Sequence, residues 1–257
     1  MSRSLDFTYK KFSELLDKFL NTGYSFHRME DSVHTLPMKS VILRHDVDAS
    51  PSHSLYTAKL ENLRNIKGTY YFRITGKSND PEIIKEIVNL GHEIGYHYED
   101  FALAKGDHKN ALLSFQKNLD YFRSFYPVRT ICMHGSPYSR WDNRDLWKYY
   151  SYRDHGIILE PYVDLDYTRI LYLTDTGRKW NGEKSSIRDR IHQEKFKTLK
   201  EKLKTSDDIL SFLSANEMPE KILITVHPQR WSDSLFGWIL EYSMQTTKNR
   251  VKQLLVK

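Results

Sequence analysis

The chain is almost free of cysteine. Cys132 is the only one, so no internal disulfide can form and no cysteine-based metal motif exists. It lies in the apolar run Ile131-Cys132-Met133, which suits a buried structural thiol. Long apolar stretches are missing too. No run of about 18 apolar residues occurs, and the opening MSRSLDFTYKK lacks an apolar core of signal-peptide length. A cytoplasmic protein with no membrane span is expected, one that could work near a membrane but not in it. The formal net charge is +6, yet no block of about five or six basic residues stands out. The richest stretch, Lys195 to Lys204, mixes Lys with Glu as a solvated helix face does. Nucleic acid is therefore not the expected partner, whereas an anionic substrate such as a nucleotide-sugar or an acidic glycan would suit the charge. The chain also has no G-x-S-x-G elbow, no phosphate-cradling glycine loop and no dinucleotide fingerprint. Serine hydrolases, kinases and dehydrogenases lose ground accordingly.

What is present fits one globular domain spanning residues 1–257. Hydrophobic residues make up 39% and charged residues 28%, which is globular rather than disordered composition, and the length matches an α/β barrel. Phe12, Leu15, Leu16, Phe19 and Leu20 predict an opening helix ended near Gly23. Val41 to Leu43 reads as a buried strand. A helix after Pro51 is expected with Tyr56, Leu60 and Leu63 on one face. Thr69 to Ile74 is a strand, Pro81 opens a helix that Gly91 closes, and Glu93 to His97 is the next strand. A helix carrying Leu112, Phe115, Leu119 and Phe122 precedes the strand Thr130 to Met133. Gly156 to Leu159 and Ile170 to Leu173 are shorter strand-like runs, Ile222 to Val226 is the last strand, and a helix including Trp238 and Leu254 ends the chain. Such alternation implies parallel strands with crossover helices, in an open sheet or a barrel. Lys195 to Ser206 is expected to be a mobile surface element.

On this frame the polar residues fall at equivalent places. His45, Asp46 and Asp48 follow the first strand, His97 ends another, and His134, Asp175 and His227 follow three more. Parallel α/β folds build their active sites at the carboxyl ends of strands. One carboxylate with several imidazoles is a ligand set for zinc or a similar divalent ion. Asp46 and Asp48 are two positions apart, so in extended chain they point the same way. One can hold a metal while the other takes a proton from an activated water, a hydrolase arrangement.

Arg44-His45-Asp46-Val47-Asp48, Gly68-Thr69-Tyr70-Tyr71-Phe72, Gly91-His92-Glu93-Ile94-Gly95-Tyr96-His97, His134-Gly135-Ser136-Pro137-Tyr138 and Val226-His227-Pro228 occur in this order. The set resembles the NodB-type polysaccharide deacetylases, carbohydrate esterase family 4, in a divergent branch, and it spans residues 41 to 228. The resemblance implies a distorted (β/α) barrel, a divalent metal, and removal of N- or O-acetyl groups from sugars. It makes Asp46 the general base, Asp48 and His97 metal ligands and His227 the general acid. Tyr138 follows the proline of the third motif, where a backbone N–H helps hold the oxyanion. The family's second ligand histidine, four residues after the first, is replaced by Phe101, and its third-motif arginine falls near Gly135. His134 is the replacement ligand put forward, with Glu99, Asp100 and His45 as rivals. Asp175 either orients His227 or is a turn residue, and Trp180 and Trp231 either wall a sugar cleft or are simply buried. His92, on a turn after Gly91, is expected at the surface. The reading that results is a metal-dependent deacetylase of an N-acetylated sugar. Hydrolysis of another C–N bond is one rival, and a carbohydrate-binding protein that has lost its metal is the other.

Overall fold

The computed structural model describes residues 5–135, 139–181 and 191–255, with side chains to residue 250. Its centre is a sheet of seven strands: β1 Ser25–His27, β2 Ser40–Val47, β3 Thr69–Phe72, β4 Glu93–Tyr98, β5 Ile131–Met133, β6 Leu171–Thr174 and β7 Lys221–Val226. The order is β5-β4-β3-β2-β7-β6, with β1 beside the start of β2, and every pairing is parallel. The sheet curls. Ile42, Tyr71, Cys132, Leu159, Tyr172 and Leu223 form one buried cluster, although β5 and β6 lie at opposite ends of the strand order. Thr130 bridges Leu159 in parallel and carries the wall past β5. No ladder joins β5 to β6 among the described residues, so the result is an incompletely closed, distorted (β/α) barrel.

Two outer clusters fix the helices to this wall. Tyr9–Asn21, capped by the Thr8 hydroxyl, and Ser206–Ser214, opened by a capping box at Thr205, cover the outer faces of β2, β6 and β7. Pro81–Asn89 and His108–Arg123 cover β3, β4 and β5 through residues such as Ile84, Ile87, Phe115 and Phe122. Both helices present the apolar faces that their periodicity predicts.

The helix Pro51–Asn62 does not. Its buried residues are Ser54, Thr57, Ala58 and Glu61, while Tyr56 and Leu63 are exposed. The expected Tyr56/Leu60/Leu63 face is thus corrected, because this helix covers polar groups rather than an apolar strand face. Glu61 lies 2.7 Å from His45 Nε2 and accepts from the Tyr70 hydroxyl at 3.0 Å. Nearby, the His92 ring accepts from the Gly68 N–H. His92 is therefore completely buried, not a surface turn residue.

β2 also runs further than its apolar core suggests, so His45 and Asp46 belong to the strand itself. Side chains alternate between the faces of a strand. Val41, Leu43 and Val47 pack outward, and Ile42 packs inward. Arg44 and Asp46 share the inward face with Ile42, and His45 points out, stacked 4.1 Å from Tyr70. On β4, Gly95 faces the interior where no side chain fits. A Cβ there would lie 2.2 Å from Tyr71 Cε1. Because the Tyr71 ring is buried and its hydroxyl donates to Thr130, Gly95→Ala should cost about 1–3 kcal/mol by overpacking. Urea unfolding checks this; an unchanged midpoint would contradict the packing described.

Candidate active site

The strand alternation that buries Ile42 and Tyr71 also selects the site. Positions 46 and 48 at β2, 97 and 99 at β4, 134 after β5 and 227 after β7 all follow the inward parity, and all meet at the carboxyl rim. His97 Nε2 and His134 Nε2 each lie 3.6 Å from Asp48 Oδ1, and His227 Nε2 lies 3.9 Å from Asp48 Oδ2. His97 Nε2 is also 3.9 Å from Asp46 Oδ2.

Hydrogen bonds assign the tautomers. His97 Nδ1 faces the Cys132 carbonyl at 2.9 Å and must carry the proton. His134 Nδ1 donates to Glu99 Oε2 at 3.0 Å. His97 Nε2 therefore turns a lone pair toward Asp48 Oδ1, a buried oxygen with no hydrogen-bond partner among the described residues. At His134 burial opposes the charged form, but the Glu99 hydrogen bond and the Asp48 charge outweigh it and raise the pKa, so a proton or a cation at its Nε2 is favoured. Two imidazole lone pairs facing an unsatisfied carboxylate oxygen repel one another unless a cation or proton lies among them. One ligand atom from each of Asp48, His97 and His134 falls within 4.8 Å of the others, and each histidine has the oxygen partner that metal-bound imidazoles use. These residues fit a divalent ion.

Glu99, a rival ligand by sequence, instead holds His134 and is itself forked by Arg73 at 3.0 and 2.8 Å. Burial opposes its charge, yet the His134 and Arg73 hydrogen bonds bring its pKa down to about 2. Asp100 and His45 lie on the outer side. Asp100 accepts from Tyr96, Ser114 and Asn118, and neither is near the ligand cluster. Phe101 packs against His108 and Trp141.

Asp46 is gripped by Arg44. The guanidinium lies inside the barrel, fully buried, and donates to both Asp46 oxygens at 2.7 and 2.6 Å. Burial alone would raise the Asp46 pKa, but Arg44 and His97 drive it well below the usual carboxylate range. Asp46 is ionised at any physiological pH and is a weak base. In contrast, burial depresses His97 to about 4, so this ring stays neutral at pH 7. His227 is braced from behind: Asp175 lies 2.5 Å from its Nδ1 and accepts from its backbone N–H at 2.9 Å.

Asp175 is completely buried and also accepts from Arg230 and from Trp231 Nε1. It orients His227 and does not reach the cleft. Trp231 and Trp180 are likewise buried, so neither walls a sugar cleft. Tyr138 lies outside the described residues. Sequence reasoning missed Arg73, Arg230 and the cleft wall made by the last helix. The cleft measures about 700 Å³ and is lined by Asp46, Asp48, His97, His134 and His227 below, and by Leu240, Met244 and Lys248 from the helix Leu235–Leu255.

Three outcomes test this geometry. Asp48→Ala should abolish binding of Zn or Co measured by elemental analysis, and Glu99→Gln should weaken it roughly 10–100-fold by freeing the His134 ring. Glu99 has a folded pKa near 2 against 4.5 for the free side chain. Its contribution to stability is therefore whole above about pH 4.5 and lost as pH falls toward 2. Acid unfolding of metal-free Glu99→Gln should be less steep over that window than wild type; identical slopes would contradict the assigned bonds.

No family model and no curated protein matches the chain. Several solved structures resemble it at low identity. A peptidoglycan N-acetylglucosamine deacetylase is 16% identical, with 92% of this chain and 91% of that one aligned at a TM-score of 0.45. A family 4 carbohydrate esterase from Streptomyces lividans is 13% identical over 81% and 88% of the two chains, with a TM-score of 0.41. A CE4-family pseudoenzyme from Bacillus anthracis is 13% identical over 82% of this chain, with a TM-score of 0.43, and the chain spans only 60% of its length. The structures that this chain resembles in shape thus include a deacetylase, a carbohydrate esterase and a protein described as a pseudoenzyme.

Proposed function

We propose that the protein is a metal-dependent hydrolase that removes the acetyl group from an N-acetylated sugar or glycan precursor. The observation that carries this reading is the meeting of Asp48 Oδ1 with the Nε2 atoms of His97 and His134, flanked by Asp46 and His227. Asp48, His97 and His134 would hold the ion, zinc being the metal this donor set suits. A bound divalent ion supplies Lewis acidity there, acidifying a water and polarising the acetyl carbonyl.

The side chains divide the remaining work. Asp46, two residues before Asp48 on the inward face, is placed to receive the water's proton. The Arg44 fork leaves it too weak a base for bulk water, so it can act only on a strongly acidified one. His227 approaches from β7, on the other side of β2 from His97, and its Nε2 faces the cleft while Asp175 holds Nδ1. It is placed to protonate the departing nitrogen. His97 and His134 are fixed by the Cys132 carbonyl and Glu99, so their lone pairs need no rearrangement during a turnover.

The same constellation would cleave another non-peptide C–N bond. A second reading is favoured by Arg44, which occupies both oxygens of Asp46: a carbohydrate-binding protein without turnover. One set of variants separates the two. Under the hydrolase reading, Asp46→Asn and His227→Ala lower acetate release per folded molecule by roughly 10²–10⁴. His227→Ala keeps its melting temperature within a few degrees, whereas Asp46→Asn lowers it because Arg44 loses its buried partner. The His227→Ala loss is greater for poor leaving groups. Full activity in a folded Asp46→Asn variant would refute the assigned base. Absence of turnover in the metal-loaded wild type across N-acetylated sugars would favour the binding protein.

A further inference from the structure

Among the described residues, the helix Leu235–Leu255 carries more exposed large apolar side chains than any other segment of its length. Leu235, Phe236, Ile239, Leu240, Tyr242 and Met244 are 45–78% exposed. Few bonds fasten it: Trp238 Nε1 donates to the Asp6 carbonyl at 2.6 Å, Asn249 donates to the Gly177 carbonyl at 3.1 Å, and Arg178 lies over the Trp238 ring at 4.7 Å. A contiguous apolar stripe on a helix that the body holds by so few groups is a surface that something else covers. No helix among the described residues is long and apolar enough to cross a membrane.

We propose that the outer face of this helix seats the protein on an anionic lipid surface. Three features favour that occupant. The apolar stripe occupies the first half of the helix, and exposed cations follow directly, Lys248 and Arg250. This is the pairing of apolar insertion and basic flank that binds an interface carrying negative charge. The helix also forms the lip of the catalytic cleft, since Leu240, Met244 and Lys248 line it together with Asp48 and His227. A second copy or a soluble protein sealed over those residues would close the entrance. A lipid surface would instead present a substrate to it. Lastly, the chain's net charge of +6 draws the whole molecule to such a surface.

The sugar substrate would then be one borne on a membrane amphiphile, and the cleft lip would meet its headgroup region. This inference rests on the proposed function only in treating the cleft as the substrate's entrance. Lipid binding needs no turnover, so failure of one reading is read separately from failure of the other.

The test is co-sedimentation of the full chain with vesicles of phosphatidylcholine containing phosphatidylglycerol, against phosphatidylcholine alone, with sedimentation equilibrium of the lipid-free protein alongside. Binding is expected to the anionic vesicles and to weaken with salt. Phe236→Ser combined with Ile239→Ser should lower the affinity roughly tenfold or more, and Lys248→Glu with Arg250→Glu should abolish the preference for anionic lipid, with circular dichroism unchanged in both. No binding to either vesicle, or binding that the variants leave unaltered, overturns the proposal. So does a wild-type dimer that Phe236→Ser with Ile239→Ser disperses, since that assigns the face to a second copy of the chain.

Discussion

A guanidinium lying wholly inside a barrel is tolerable only against a carboxylate held as firmly as itself. β2 provides both on one face, two residues apart, and the Arg44–Asp46 fork closes on bonds of 2.7 and 2.6 Å. Removing one partner of such a pair leaves the other as an uncompensated buried charge, a loss of about 3–5 kcal/mol. The pair sits between an apolar barrel floor and a polar rim. Below it are Ile42, Tyr71 and Leu223; above it are Asp48, His97, His134 and His227. Arg44 also reaches the Tyr162 hydroxyl at 3.1 Å and lies over its ring, so the segment after Leu159 that completes the barrel wall is tied to the same charge. Asp46 is thereby fixed in place and in ionisation, and Asp48 follows from it by one more step of the strand alternation.

The ligand cluster depends on a second layer that is just as ordered. Each imidazole turned toward Asp48 is held from behind by an oxygen: the Cys132 carbonyl for His97 and Glu99 for His134. His227 has Asp175, which Arg230 and Trp231 hold in turn. Glu99 and Asp175 are both ionised despite burial, because cationic or proton-donating partners outweigh desolvation. Two buried carboxylates that only brace histidines are a costly device for a structural loop. They are what a site needs if its rings must keep one tautomer and one orientation.

The parts of this that could be read from sequence are those in which polarity and periodicity agree. Parallel strands alternating with amphipathic helices, and acids or imidazoles at successive strand ends, need only local pattern. The readings that failed did so where polar residues replace apolar ones inside regular elements. β2 was legible only as far as Leu43, because His45 and Asp46 look like loop residues until the barrel interior is known to be charged. Once the strand extends to Val47, parity alone sends His45 outward and leaves Asp46 and Asp48 inward. The helix Pro51–Asn62 buries Thr57 and Glu61 instead of Tyr56 and Leu63 because it covers His45, Tyr70 and His92. Its pattern answers to a neighbour that no window of the sequence contains. Trp231 has the same character: its indole N–H is bonded to Asp175, 56 positions away.

The central claim is that Asp48, His97 and His134 bind one divalent ion. Anomalous diffraction at the zinc edge, on crystals grown without chelator and soaked in zinc, tests it without reference to any substrate. The account predicts a single strong peak within bonding distance of Asp48 Oδ1, His97 Nε2 and His134 Nε2, lost in Asp48→Ala crystals. A peak placed elsewhere, or none at that position, would contradict it.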